Sequence, residues 1–357
     1  ENGKISEQNE QKLPQMSEDV VEGQLLVRFD ARVSEILDKA GLTKSGPALP
    51  MDRSGVLSVD EILDLVEGYQ IERVFPVDQR TEETARKEGL HLWYVVRFSD
   101  EYPVDKVAAD LSKLGEVSRV EYNRTLKRAS DAKAVPVSEQ VVSRAAAKAV
   151  GHNDPLLKYQ WHLVNNGMDQ ELPVAKPVSP QAIFIEGADV GMKQAWEDPK
   201  MKGHPSIIVA VLDEGVCFSH PDLEASMWVN EGEIWGSHED NDGNGYAGDR
   251  HGYNFVKQTG KITVNSRYDT GHGSHVAGAV AARNNNGLGI KSIAGGDGSA
   301  DSGVRIMSCQ IFAGEYVGTL LDEVRAIKYA ADNGAVILQC SWGYTSGTAN
   351  PYDWGQQ

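Results

Sequence analysis

The sequence predicts an α/β protein: a domain built on a parallel sheet, preceded by a small α+β domain. In the C-terminal half, apolar strand-like runs alternate with helix-like segments in the order 207–212, 273–283, 304–312, 319–333 and 336–340. Such alternation is typical of a parallel sheet with helices on both faces. In the N-terminal part, the order strand–helix–strand–strand–helix–strand, with one extra helix, predicts a split βαβ sandwich whose helices cover one face of an antiparallel sheet.

The small domain is assembled from short elements with local signals. Its strand-like segments lie at 24–29, 71–77, 91–98 and 117–122. A helix over 33–40 is closed by Gly41, since glycine favours the position after a helix. Ser58 and Glu61 form a capping-box pattern that predicts the start of a second helix. Pro103 suits the first turn of a third helix, which a later glycine ends.

Composition divides the 357 residues into four segments. Residues 1–19 are polar, show no periodicity and are expected to form a flexible lead-in. The small domain takes 20–125. Residues 126–152 are rich in Ala, Val, Ser and Lys without an apolar period, and we predict an exposed linker of the kind that proteases cut. The larger domain takes 153–357.

Charge and composition exclude several classes of protein. The chain has 52 acidic and 35 basic residues, a formal net charge of −17, and this charge disfavours nucleic acid as a partner because phosphate binding needs a basic surface. No run of eighteen apolar residues occurs, so the sequence predicts no membrane span. Three cysteines without a CxxC pair favour neither a disulfide framework nor a zinc ribbon.

Two segments of the larger domain carry side chains suited to proton transfer. Asp213 ends the apolar run at 207–212, so its carboxylate is expected at the carboxyl end of a buried strand, where ligands and catalytic groups of parallel sheets gather. His272 opens a predicted helix of small residues. A carboxylate that accepts a hydrogen bond from a histidine ring fixes the tautomer and stabilises the imidazolium. Two alternatives stay open: Asp213 caps a helix or turn, and His272 is a structural polar residue.

Together these segments resemble the subtilisin-like serine proteases, the subtilase family. Residues 209–216 (VAVLDEGV) are similar to the segment of the family's catalytic Asp, and residues 219–223 (SHPDL) are similar to its continuation. Residues 339–343 (QCSWG) resemble the strand whose Ser-x-Gly backbone pairs with extended substrate. The resemblance covers about residues 153–357. It is specific, because several motifs occur in order at suitable spacing.

The resemblance implies a role for each matching residue. Asp213 would be the acid and His272 the base of an Asp-His-Ser triad that hydrolyses peptide bonds. The substrate-binding residues would be Ser341, Trp342 and Gly343.

The sequence departs from the family pattern at the nucleophile. The family's Ser lies in a Gly-Thr-Ser-x-Ala-x-Pro segment, preceded by an oxyanion-hole Asn, and neither is found in these residues. We therefore expect an incomplete subtilisin-like domain, truncated from a longer protein and by itself inactive, since a triad without its Ser keeps only a small residual rate. Three alternatives stay open: a peptide-binding pseudoprotease, a nucleophilic Cys217 acting with His272, and a metal-binding module that uses His272, His275 and the acidic loops.

The resemblance also implies a role for residues 20–125. Their element order resembles the ferredoxin-like inhibitory propeptide of subtilases, which packs on the protease and threads its C-terminal tail through the active site. Residues 120–128 (VEYNRTLKR) would form that tail, and the processing site is expected within 126–152. The implied partners are polypeptide substrates and the chain's own propeptide as an intramolecular inhibitor. The implied location is extracytoplasmic or secreted.

Two acidic regions are predicted to hold structural calcium, and no organic cofactor is implied. Residues 240–245 place oxygen-bearing side chains at alternating positions, as calcium loops do, although His251 stands where an EF-hand requires Glu. A solvated turn is the alternative. Asp222 and Asn286 resemble the family's structural calcium site. The candidate ligands in the first region are Asp240, Asp242, Asn244 and Asp249.

Overall fold

The structure is a computed structural model that describes residues 16–40, 50–66, 68–133, 153–167, 185–198, 200–264 and 267–344. The predicted helix end at Gly41, most of the predicted lead-in and most of the predicted linker lie outside the described residues. Within the described ranges, none of the helices combines the length and the apolar character that crossing a membrane requires.

The first folded part is a four-stranded antiparallel sheet with helices on one face. In chain order its elements are β1 (Val20–Phe29), α1 (Ser34–Lys39), α2 (Leu57–Leu63), β2 (Gln70–Arg73), α3 (Glu82–Lys87), β3 (Trp93–Arg97), α4 (Val104–Ser112) and β4 (Val117–Arg124). The strand order in the sheet is β2-β3-β1-β4. Apolar side chains of α1, α2 and α4 pack on one face of the sheet, around a core that includes Phe29 and Tyr94.

Local details of this part differ from the sequence prediction. Helix α2 begins at Leu57 after Val56, which provides no side-chain cap, so the predicted capping box at Ser58 does not form. Strand β2 ends at Arg73 instead of Val77. Helix α3 was not predicted, because Ala85 is its only buried residue and its sequence therefore carries no apolar period.

The second folded part is built on a parallel sheet. The elements that follow β4 are β5 (Leu126–Arg128), α5 (Met192–Glu197), β6 (Ile208–Glu214), β7 (Gly252–Asn254), α6 (His272–Ala281), β8 (Arg305–Ala313), β9 (Tyr316–Val317), α7 (Leu320–Asp332), β10 (Ala335–Cys340) and β11 (Trp342–Tyr344). The parallel strands lie in the order β10-β6-β8-β7, and the short β9 is antiparallel to β8. Helix α6 covers one face of the sheet through Ala277 and Ala281, and α7 covers the other through Ala326 and Tyr329.

The two folded parts share an apolar interface. The face of the antiparallel sheet opposite its own helices packs against α7, where Leu26 and Val95 contact Leu320 and Val324. Arg325 of α7 is buried in this interface, with its Nη2 2.6 Å from Glu72 Oε1 and its Nε donating to the Val74 carbonyl at 2.6 Å. The position of the first part on the second is therefore held by both apolar burial and a buried ion pair.

Candidate active site

The structure brings Asp213 and His272 into direct contact. Asp213 lies near the end of β6, and His272 is the first residue of α6. His272 Nδ1 lies 2.9 Å from both carboxylate oxygens of Asp213. Because a carboxylate only accepts hydrogen bonds, Nδ1 carries the proton and Nε2 is left as an acceptor in the neutral ring.

Burial shapes the electrostatics of this pair. Asp213 is almost fully buried, and burial raises its pKa above the usual range, whereas the hydrogen bonds from His272 and from the Glu214 N–H act to lower it. The His272 side chain is 18% exposed, so part of the ring still reaches the surface. A proton acceptor held in one orientation at the surface is suited to general-base chemistry.

A second carboxylate, Glu214, lies beneath the histidine. The register between β6 and β8 shifts between Asp213 and Glu214, and such an irregularity re-aims the side chains that follow it. Glu214 Oε2 accepts the backbone N–H groups of Thr270 at 3.0 Å, Gly271 at 3.0 Å and His272 at 3.2 Å. This carboxylate therefore fixes the chain that carries the histidine into α6.

The predicted substrate-binding residues lie beside this pair and already hold a strand. Trp342 and Gly343 belong to β11, which pairs antiparallel with β5, and the Ser341 carbonyl accepts the N–H of Ala129 at 3.0 Å. The other edge of β5 is also bonded, since Leu126 N–H donates to the Gly318 carbonyl at 2.8 Å. A segment of the chain's own N-terminal part, β5, therefore lies between β11 and the Gly318 segment, and we call the space that it fills the cleft.

The acidic loop gathers three carboxylates. Oxygens of Glu233, Asp242 and Asp249 lie within 4.8 Å of one another. Glu233 is almost fully buried, and its Oε2 has no hydrogen-bond partner among the described residues. Asp249 is fully buried, and burial raises its pKa to about 7. The arrangement has the chemistry of a hard-cation site, because its donors are carboxylate oxygens.

The other predicted ligands of this loop have different partners. Asp240 accepts the N–H groups of Gly243 at 2.8 Å and Gly245 at 2.8 Å, so its oxygens shape the turn and not the cluster. Asn244 lies next to the cluster, and its Nδ2 donates to Asp249 Oδ2 at 3.0 Å.

The second predicted calcium region is compact. Asn286 Nδ2 donates to Asp222 Oδ1 at 2.8 Å, and the Ile290 N–H donates to Asp222 Oδ2 at 3.1 Å. Burial raises the pKa of Asp222 above its usual range.

The remaining candidate side chains point to other neighbours. Cys217 Sγ contacts Ser219 Oγ at 3.8 Å. The cluster of metal-capable side chains in the described part of the chain contains neither His272 nor His275, which is exposed.

Two residues of the site were missed by the sequence prediction. Glu214 follows Asp213 directly within residues 209–216, and the only signal of its role was that it is a second carboxylate at the strand end. Glu233 precedes the acidic loop and carries no periodic or motif signal of its own.

Comparison with known proteins finds relatives for part of this chain. Residues 204–356 match the model of the Subtilase family. The chain is 28% identical over 246 residues to the thermophilic serine proteinase of Bacillus sp. strain AK1, a match that covers 64% of this chain and 49% of that protein. It is 32% identical over 137 residues to subtilisin-like protease 1 of Plasmodium vivax, covering 38% of this chain and 20% of that protein.

The fold also has a counterpart among solved structures. The crystal structure of fervidolysin from Fervidobacterium pennivorans matches 94% of this chain and 38% of its own, with a TM-score of 0.50 and 19% sequence identity. At this identity the likeness concerns the fold alone. The chain spans between about a fifth and a half of the length of the two curated relatives described above.

Proposed function

We propose, from the match of residues 204–356 to the model of the Subtilase family, that this chain is part of a serine endopeptidase zymogen. The observation that carries the proposal is the contact of His272 Nδ1 with Asp213 at 2.9 Å. It leaves Nε2 as the ring atom able to take a proton. The nucleophilic serine belongs, in this proposal, to the complete protein.

The chain's own residues would act in three ways. His272 Nε2 takes the proton of the serine hydroxyl and then gives it to the leaving amine. Asp213 keeps the ring in the required tautomer and stabilises the imidazolium. Strand β11 binds the substrate backbone as an added antiparallel strand, which tolerates many side chains. The pairing of β5 with β11 supports this binding mode.

We propose further that the first folded part is an inhibitory prodomain of ferredoxin-like topology. Its strand order β2-β3-β1-β4 is that of a split βαβ sandwich, and its free sheet face packs on α7. The strand that follows it, β5, occupies the cleft beside the Asp213–His272 pair. Such a segment blocks access of other polypeptides to the cleft. An extracytoplasmic location suits an enzyme that is made with its own inhibitor.

The course of the chain after β5 predicts where processing begins. Ala129 is bonded to Ser341 on one side of the cleft, and Lys133 Nζ donates to the carbonyl of Arg267, shortly before His272, at 2.8 Å. We infer from these two contacts that the intervening residues run close to the histidine. We expect the first cut of the complete protein to fall between residues 129 and 133, as mass spectrometry over a time course would reveal. A first cut within 134–152, or the same cut in a His272→Ala variant, would contradict the proposal.

The residues of the acidic loop fit a structural calcium ion. Glu233 Oε2 is a buried oxygen without a partner among the described residues, and an isolated buried charge is costly. We propose Glu233, Asp242 and Asp249 as the ligands, with Asn244 beside them. Bound calcium would compensate the three carboxylates and hold the loop on the sheet. Asp222 and Asn286 remain a second proposed calcium region.

Calcium is expected to stabilise the folded protein through this loop. At a free concentration of 100 times the Kd, a single site adds about 2.7 kcal/mol to the free energy of unfolding. Thermal unfolding with calcium and with a chelator measures the difference. In a Glu233→Gln variant the calcium-dependent rise in Tm should shrink, whereas Glu239→Gln, an exposed change in the same region, should leave it as it is. Equal calcium responses in the two variants would exclude Glu233 as a ligand.

A further inference from the structure

One of the two basic side chains of β5 is much more buried than the other. Arg128 stands opposite Trp342 in the β5–β11 pairing, and its side chain is only 15% exposed. The adjacent Lys127, opposite Gly343, is exposed. The two basic side chains of this strand therefore differ in burial, because one enters the cleft and the other faces away from it.

The pocket around Arg128 offers a partner to each part of the guanidinium group. Arg128 Nη2 donates to the Gly314 carbonyl at 2.8 Å, and the group lies over the ring of Phe312 at 5.3 Å. Arg128 Nε lies 3.2 Å from Glu214 Oε1, in an ion pair that lacks the alignment of a hydrogen bond. The exposed Asp131 lies 3.9 Å from Nη1, where solvent weakens its attraction.

Glu214 connects this pocket to the catalytic pair. It is almost fully buried, and its Oε2 is committed to the backbone N–H groups that lead into His272. Its Oε1 accepts the Thr270 N–H at 3.2 Å and otherwise faces Arg128. A peptide without a base at this position would leave a buried carboxylate with less compensation than it has in the structure, which is unfavourable.

We infer that the cleft selects polypeptide substrates that carry arginine at the strand position opposite Trp342, with Glu214 as the residue that determines this preference. The inference rests on the proposed endopeptidase function and adds the substrate class. Arginine fits better than lysine, because a planar guanidinium can reach a carbonyl, a carboxylate and an aromatic face together. In the zymogen, Arg128 occupies this pocket as a substrate side chain would.

The test measures kcat/KM of the complete protease on peptides with the sequence of residues 125–133 (TLKRASDAK). Replacing the arginine by glutamine should lower kcat/KM by about 10- to 100-fold, the range for losing the polar contacts of a charged group, here chiefly the ion pair with Glu214. Lysine should give an intermediate value and glutamate the lowest. Replacing the preceding lysine by glutamine is the matched control, with an expected change below about twofold because that side chain is exposed.

A variant of the enzyme distinguishes the loss of charge recognition from a general loss of activity. In a Glu214→Gln variant, the ratio of kcat/KM for the arginine peptide to that for the glutamine peptide should fall towards one, whatever the remaining absolute rate. An unchanged ratio, or an arginine-to-glutamine ratio below about two in the unmodified protease, would overturn the inference. Failure to cleave any peptide or unfolded protein would count against the proposed endopeptidase function instead.

A second measurement does not depend on turnover. In the full chain, Arg128→Gln should speed amide hydrogen exchange in β5 and β11 by about tenfold or more, since the strand loses a charged anchor. Lys127→Gln should leave exchange in these strands unchanged. Equal exchange in the two variants would overturn the inference even if the protein shows no activity.

Discussion

His272→Ala in the complete protease should lower kcat by about 10⁴- to 10⁶-fold, the loss expected when the base of a triad is removed. The reason is the position of the His272 ring, because its Nδ1 lies 2.9 Å from Asp213 Oδ1 and part of the ring is exposed at the surface. The measurement is peptide hydrolysis under single-turnover and steady-state conditions. Asp213→Asn should lose about 10⁴-fold, because an amide at this position stabilises the wrong tautomer of the ring.

The same helix provides a matched control for this prediction. His275 lies one turn along α6 and is exposed. His275→Ala removes the same chemical group from the same helix, and we expect a change in kcat below about twofold. A His272→Ala protein that keeps a tenth of the normal rate, or a loss of similar size in both variants, would contradict the assignment of the base.

The second large effect concerns the interface between the two folded parts. Arg325→Met should lower the free energy of unfolding by roughly 1.5–3 kcal/mol, the range for a hydrogen bond to a charged group, because the buried Glu72 keeps Arg97 Nη2 at 3.1 Å as a second partner. Arg325 Nη2 is 2.6 Å from Glu72 Oε1, and both side chains are less than a tenth exposed. The lost hydrogen bond from Nε to the Val74 carbonyl adds to the effect.

Urea unfolding of the full chain checks this value. Arg53→Met is the control, since it breaks an ion pair with Asp64 in which both side chains are about half exposed. Pairs of this kind contribute about 0–1 kcal/mol. Should Arg325→Met cost no more than Arg53→Met, the buried pair does not hold the two parts together.

The elements near the Asp213–His272 pair were predictable because their signals are local. The apolar run of β6 ends in Asp213, and the small residues of α6 begin at His272, so neighbouring sequence alone indicated the strand end and the helix start. Parallel-sheet geometry then supplied the expectation that such groups meet at one edge. The geometry of the pair agrees with that expectation.

Features formed by distant segments could not be predicted in the same way. Residues 126–128 were assigned to an exposed linker, yet they form β5, because their hydrogen-bond partners lie in β11 and in the Gly318 segment. Glu233 meets Asp249 only through the folding of the loop between them. Side-chain pairing over such distances depends on tertiary packing, which local propensity does not encode.

The β5–β11 pairing joins two segments of one chain, so its strength is governed by tethering as well as by contacts. A strand tethered to its partner competes at an effective concentration, which is about millimolar for short flexible links. Any free peptide in solution must approach that level to displace it. Cutting the tether turns a concentration-independent equilibrium into one that dilution shifts, so release would follow from lower protein concentration without any change in the contacts themselves.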